Sequence, residues 1–246
     1  MKKIFFKIVG WFGYKLVEKK LIKNNRIISN YNHINIQKIL ETIFSSLKIE
    51  NVIQIGANDG ERFDNLNFFL KKYECKTILV EPIKEFFEKL RINYKNQSNI
   101  FFENSAISAE NKLKFLYTVN QNKLNKYDEH IAGISSFNKD HLTKHGVSNK
   151  DIVKQKVNSL TIKELLDKYK FTSLDLLVVD AEGYDGIILN NFFKECSLHP
   201  IIIFEYIHIE TPVFENLVNN LNKKNYSYFN VNENLVCFQK NLKIFL

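Results

Sequence analysis

The amino-acid sequence predicts an α/β fold: a mostly parallel, doubly wound, Rossmann-like sheet ending in an antiparallel hairpin. Short apolar runs at residues 52–55, 77–80, 100–102, 174–179 and 201–204 have the length of buried strands. Segments 62–73, 83–94, 161–169 and 212–223 carry apolar residues at helical spacing. Strands alternating with helices of this length form right-handed βαβ units and hence a parallel sheet. Residues 226–230 and 235–239, around Asn232-Glu233-Asn234, have the pattern of a closing hairpin.

Composition bounds the rest. With 246 residues and 45% hydrophobic side chains, the chain can bury a core and is not disordered. Its net charge of +8 is concentrated at one end: eight Lys and Arg residues stand in 1–30 against Glu18 alone. The remainder is nearly neutral, which argues against a basic groove and a nucleic-acid partner. Cys75, Cys196 and Cys237 are odd in number and far apart, without a C-x-x-C pair, so reduced thiols in a cytoplasmic protein are expected. No apolar run approaches the roughly 20 residues of a membrane span. Lys2-Lys3 before Ile4-Phe5-Phe6 resembles a signal peptide, but Lys7 interrupts the run and no small-x-small cleavage site follows.

The chain divides into a basic, amphipathic helical segment at 1–47 and a main domain at 48–246. In 3–23, Phe5, Val9, Phe12 and Leu16 share one helical face, and a second helix is expected over 36–47. Two readings of the 3–23 helix stand side by side. It rests peripherally on the anionic inner membrane surface, burying aromatic residues while lysines meet headgroups, or its apolar face packs on the domain. Within the domain, about 112–157 interrupts the alternation. Residues 112–119 and 152–157 look like added strands around a polar stretch, read as an insertion or lid. Its histidines, His130, His141 and His145, lack metal-ligand spacing and are expected at the surface.

The candidate chemistry begins at Gly56-Ala57-Asn58-Asp59-Gly60, where a strand gives way to a helix. Glycines there admit close approach of a ligand to the backbone, and ligands of open α/β sheets bind beyond the carboxyl ends of strands. Glu81 ends the next strand, where a carboxylate can accept both hydroxyls of an adenosine ribose. A dinucleotide fingerprint would place a second glycine at position 58 and a third after Gly60, and neither is present. S-adenosylmethionine carries no phosphate and tolerates side chains there, and a terminal antiparallel hairpin suits methyltransferase Rossmann folds.

These pieces together resemble the FkbM-type methyltransferases. The resemblance runs from about Val52 to Glu205 through Ile55-Gly56-Ala57-Asn58-Asp59-Gly60, Val80-Glu81-Pro82, Asn104-Ser105-Ala106-Ile107-Ser108, Gly133-Ile134-Ser135-Ser136, Val157 with Ser159-Leu160, and Val179-Asp180-Ala181-Glu182-Gly183-Tyr184-Asp185. It implies a class I methyltransferase fold and methyl transfer from S-adenosylmethionine to a hydroxyl oxygen. The expected acceptor is a sugar of a bacterial surface glycan, or else a small-molecule or lipid-linked compound. Gln54 departs from the pattern, because many members carry an acid two residues before the first glycine.

On this reading Gln54, Gly56, Asn58, Asp59 and Gly60 surround the methionine end of the cofactor. Glu81 holds the ribose, Ser105 and Ala106 border the adenine, and Asp180 lies beside the transferable methyl. Asp180, Glu182 and Glu205 are the candidate general bases, with His208 as an outside choice. Ser135 and Ser136 are placed to hydrogen-bond acceptor hydroxyls, or to cap a helix starting near Asn138. The same carboxylates can instead hold Mg²⁺, although acids near a cationic sulfonium need no metal to explain them. Asp180 and Glu182 can also serve as helix caps. Rival readings are a nicotinamide-dependent oxidoreductase and a non-catalytic cofactor-binding protein.

Overall fold

The computed structural model describes residues 35–62, 64–110 and 112–242, with the backbone alone at 132. The helix expected over 3–23, with its membrane contact, lies outside the described residues. Helix α1 (Ile36–Ser46) opens the described part, its first turn capped by the Asn35 side chain accepting from Lys38 N–H. Then β1 (Asn51–Ile55), α2 (Asn67–Lys72), β2 (Lys76–Val80), α3 (Lys84–Asn93) and β3 (Ile100–Glu103) form the first half of the sheet. The insertion follows, and α6 (Ile162–Lys168), β9 (Leu176–Val179), α7 (Asp185–Glu195), β10 (Ile201–Glu205), α8 (Thr211–Lys223), β11 (Tyr226–Val231) and β12 (Asn234–Gln239) complete the domain.

The seven strands lie in the order β11-β12-β10-β9-β1-β2-β3. All neighbours from β10 to β3 are parallel, while β12 runs antiparallel to both β10 and β11. This is the doubly wound sheet with a C-terminal hairpin that the sequence predicts. Alternate strand residues feed two cores. Ile53, Ile78, Leu177, Ile202 and Cys237 join α6, α7 and α8, while Val52, Leu79, Leu176, Ile203 and Val236 join α1, α2 and α3. Strands covered on both faces are apolar throughout, which is why they stand out as continuous runs.

One expected element is shorter than its periodicity suggests. The helix predicted over 62–73 begins only at Asn67. Asp59 Oδ1 accepts N–H bonds from Glu61 and Arg62 at 3.1 and 3.0 Å, and Asp64 Oδ1 accepts from Leu66 N–H at 2.8 Å. Two short Asx-type turns thus take backbone donors that a helix would otherwise use.

The insertion has its own architecture. It contains β5 (Lys114–Val119), α4 (Glu129–Gly133), β6 (Ser135–Ser136), α5 (Lys139–Lys144) and β7 (Ile152–Val157). Strand β5 pairs antiparallel with β6 and β7. Val119, Ile134, Leu142 and Val147 form a small separate core beneath it. The two-residue strands β4 (Ala106–Ile107) and β8 (Ser159–Leu160) pair in parallel where the insertion leaves and rejoins the sheet domain. Among the described residues, no helix is long and apolar enough to cross a membrane.

Candidate active site

The order of strands reverses between β1 and β9, the place where open α/β sheets form a ligand crevice. The two strand ends approach so closely that a Cβ on Gly56 would stand 1.8 Å from the Asp180 carbonyl oxygen. Gly56 also has φ +83, in the region L side chains rarely adopt. Over this point opens a cavity of about 480 Å³ whose wall includes Gln54, Gly56, Asn58, Glu81, Ser135, Asp180 and Glu182. A smaller cavity of about 50 Å³ adjoins it, sharing Gly56, Glu81 and Asp180 and adding Ser105 and Ala106.

Glu81 is buried at the end of β2, where Oε2 accepts from Asn58 N–H at 3.0 Å and Oε1 from Ile83 N–H at 2.7 Å. Loss of water outweighs these donors and pushes its carboxyl up to about 8. Gln54 is buried in the cleft wall. Its Nε2 donates to Asp64 Oδ1 at 3.0 Å, and its Oε1 has no hydrogen-bond partner. Buried acceptors left unpaired are uncommon and costly. Asp64 also lines the cavity, and burial raises its pKa.

Asp59 is placed differently. Its carboxylate is turned into the loop, binding the two N–H groups named above and Arg62 Nε at 2.6 Å. Neither Asp59 nor Gly60 contributes to the cavity wall.

Asp180 follows β9 and opens to the cleft, yet protein crowds it on several sides. Desolvation first, and then the charge of Glu182, raise its carboxyl above the usual carboxylate range, by less than full burial would because the side chain is open to water. Glu182 has φ +50, an uncommon backbone state for a non-glycine residue. Its Oε2 lies 2.8 Å from His141 Nε2, and its carbonyl accepts from Ser136 Oγ at 3.0 Å. Ser136 therefore ties the insertion to the β9 loop, and its Oγ also accepts from Asn138 N–H at 3.3 Å. The cap of α5 itself is Asn138, whose side chain accepts from Asp140 N–H. Glu205, at the end of β10, is pushed up to about 8 by desolvation, with Asp180 and Glu182 adding to it, and lies outside the cavity wall. Ser105 Oγ donates to Glu103 Oε1 at 2.7 Å.

Neither Asp180 nor Glu182 caps α7, whose N-cap is Tyr184 without a side-chain bond, and Asp185 at its first position binds the preceding loop instead. That fully buried carboxylate accepts from Ala181 and Gly183 N–H, each at 3.2 Å, and shapes the loop before α7. The histidines also differ from expectation. His130 is exposed, but His141 is buried and His145 half-buried, and both pack against His208. Their meeting joins the insertion to the loop after β10, a tertiary contact invisible to local spacing. Asp64 escaped notice because its segment has helical periodicity. The only hint was its place after Gly60, within reach of the first strand.

The family described as "Methyltransferase FkbM domain" matches residues 54–228. No curated protein matches the chain. Among solved structures, a methyltransferase FkbM from Methylobacillus flagellatus KT is 14% identical with a TM-score of 0.49. The match covers 79% of this chain, which spans only 45% of that one. A precorrin-6y C5,15-methyltransferase from Geobacter metallireducens GS-15 is 9% identical, covering 82% of this chain and 85% of that one, with a TM-score of 0.42. A SAM-dependent O-methyltransferase from Thermotoga maritima is 8% identical, covering 88% and 70%, with a TM-score of 0.41.

Proposed function

Because the chain belongs to the methyltransferase FkbM domain family, we propose that it methylates a hydroxyl oxygen, with a saccharide of a bacterial surface glycan as acceptor. The observation that carries this reading is the place of Asp180, a carboxylate in the cavity wall at the end of β9, directly against the Gly56 cradle.

The cleft suits S-adenosylmethionine on three counts. Gly56 leaves room that any Cβ would fill. Gln54 Oε1 is a buried acceptor without a donor, suited to the ammonium of the methionine moiety. Each oxygen of Glu81 accepts one N–H and keeps a further lone pair for a ribose hydroxyl. The acid that many relatives carry at position 54 has a counterpart in Asp64, hydrogen-bonded to Gln54 and facing the same cleft.

When bound, the cofactor supplies a methyl group already activated on sulfonium, so alignment is the main requirement. The attacking hydroxyl must still lose its proton. Asp180 accepts it as the new carbon–oxygen bond forms, a contribution of about 10²–10⁴-fold for a placed general base. Glu182, hydrogen-bonded to His141, adds negative charge beside Asp180 and favours its proton-bound form. Ser135 borders both cavities and can orient the acceptor.

Calorimetry with S-adenosylhomocysteine tests the cofactor assignment. One-site binding is expected. Binding of a nicotinamide dinucleotide, with no heat from S-adenosylhomocysteine, would overturn it. Mass spectrometry of glycans from a deletion strain tests the acceptor. Loss of one methyl group from a sugar is expected, and an unchanged glycan with a lighter lipid or small metabolite would move the activity to that acceptor.

A further inference from the structure

Beside the cleft, three imidazoles meet that neither cofactor binding nor proton transfer uses. His141 lies on α5 and His145 at its C-cap, four residues on, while His208 lies between β10 and α8. Ring centroids are 4.4 Å apart for His141–His145, 4.8 Å for His141–His208 and 5.0 Å for His145–His208. One ligand nitrogen from each ring lies within 4.8 Å of those of the other two. We propose that His141, His145 and His208 form a binding site for a divalent transition-metal ion of the zinc type, which fastens the insertion to the loop after β10.

The hydrogen bonds around the rings prepare them as ligands. Glu182 Oε2, 2.8 Å from His141 Nε2, accepts a hydrogen bond from Nε2–H, which leaves the Nδ1 lone pair available. The His141 carbonyl, 2.9 Å from His145 Nδ1, can only accept, so Nδ1 carries the hydrogen and Nε2 keeps its lone pair. Metal-bound histidines are held in this way, with the second ring nitrogen donating to a carboxylate or a backbone carbonyl. His208 Nε2 lies 3.7 Å from Glu205 Oε1, near a carboxylate but beyond hydrogen-bond length. Contrary to the expectation from the sequence, the i, i+4 spacing of His141 and His145 is one that sets two imidazoles on one helical face in zinc sites.

The dimensions require a modest closure. Zinc–nitrogen bonds of about 2.0–2.1 Å place tetrahedral ligand atoms about 3.3 Å apart, against the 4.8 Å limit here. His145 and His208 are only half-buried, and side-chain rotation spans such a difference. Neutral imidazoles select Zn²⁺, Co²⁺ or Ni²⁺ and discriminate against Mg²⁺, which prefers oxygen ligands. Three protein ligands leave a fourth coordination position open. Two ligands belong to the insertion and one to the sheet domain, so the ion adds a cross-link to the apolar, ring and polar contacts already between them. The proposal does not depend on which acceptor is methylated.

Untagged full-length protein, stripped with a chelator, tests the site directly. Titration with Co²⁺ should give visible ligand-field absorption saturating at one equivalent. Zn²⁺ should abolish it and excess Mg²⁺ should not. His145→Gln and His208→Gln should each weaken uptake by more than about tenfold, a loss typical even of an outer-shell partner. Zn²⁺ should slow proteolysis within 112–157 in the parent and not in these variants. Absence of one-equivalent uptake in the parent, or full-strength uptake in both variants, would overturn the site.

Discussion

The parallel sheet and the insertion face each other across one cleft, but different forces place their residues. In the sheet, β1, β2, β9 and β10 are buried on both faces, and each strand end delivers one residue to the same edge: Gly56, Glu81, Asp180 and Glu205. Burial of whole strands sets those positions, and register leaves little freedom. In the insertion, four buried residues hold β5, α4 and α5 together. Leu116, Val157 and Phe137 pack it on Ile83, Phe86 and Ala106, and at the cleft it is tied by Ser136 Oγ to the Glu182 carbonyl and His141 to the Glu182 carboxylate. The strand ends are thus fixed by the burial of whole strands, whereas the insertion is held at the cleft by one small apolar cluster and a few bonds around Glu182.

The largest effect is expected at Gly56. Alanine there would collide with the Asp180 backbone and hold an unfavourable φ. A loss of about 3 kcal/mol or more is expected from overpacking and strain together, measured by urea unfolding. Gly146, in the insertion, has φ +85 but nothing within 4 Å of an added Cβ. Its alanine variant should lose only about 1–2 kcal/mol, the cost of the left-handed backbone. Equal losses at both positions would erase the contrast between the two regions.

Leu142→Ala comes next. Leu142 is fully buried in the insertion's small core, and such truncations cost about 2–5 kcal/mol. Hydrogen exchange should accelerate in β5, β6 and α5 while β1 and β9 keep their protection. Uniform acceleration would mean that the two regions unfold as one unit.

A graded pH dependence should follow from the sheet-edge acids. Burial pushes Glu81 and Glu205 up to about 8 from 4.5, so the folded state binds protons more tightly than the unfolded chain. Stability of the cofactor-free protein is therefore greatest below pH 4.5 as far as these groups are concerned. It declines as pH rises from there to about 8. Thermal melting across that window should show the decline, and Glu205→Gln should flatten it. A melting temperature rising with pH, unaltered by the substitution, would contradict the assignment. The smallest effect is expected for Ser136→Ala, about 1 kcal/mol for one hydrogen bond, with faster proteolysis confined to the insertion.

The same contrast explains what was legible in the sequence. Residues 52–55, apart from Gln54, and 176–179 are apolar because both faces are covered, so the strands and the residues after them, Gly56 and Asp180, could be read locally. The direction of the Asp59 carboxylate could not, because the competing N–H donors of Glu61 and Arg62 arise from a turn within a segment of helical periodicity. Asp64 was hidden for the same reason. Asp185, rather than Asp180 or Glu182, binds the loop through φ values at Glu182 and Gly183 that no spacing rule announces. The meeting of His141 and His145 with His208 depends on how the insertion folds back, and only tertiary structure records it.

Transfer of labelled methyl groups from S-adenosylmethionine to glycans extracted from the deletion strain decides whether Asp180 removes the acceptor proton. Asp180→Asn should lower the rate by about 10²–10⁴-fold, with S-adenosylhomocysteine affinity and melting temperature close to those of the parent. The parent's rate should rise with pH as this carboxyl, raised by desolvation and by Glu182, loses its proton. An Asp180→Asn enzyme that transfers methyl groups at the parent's rate would contradict that role.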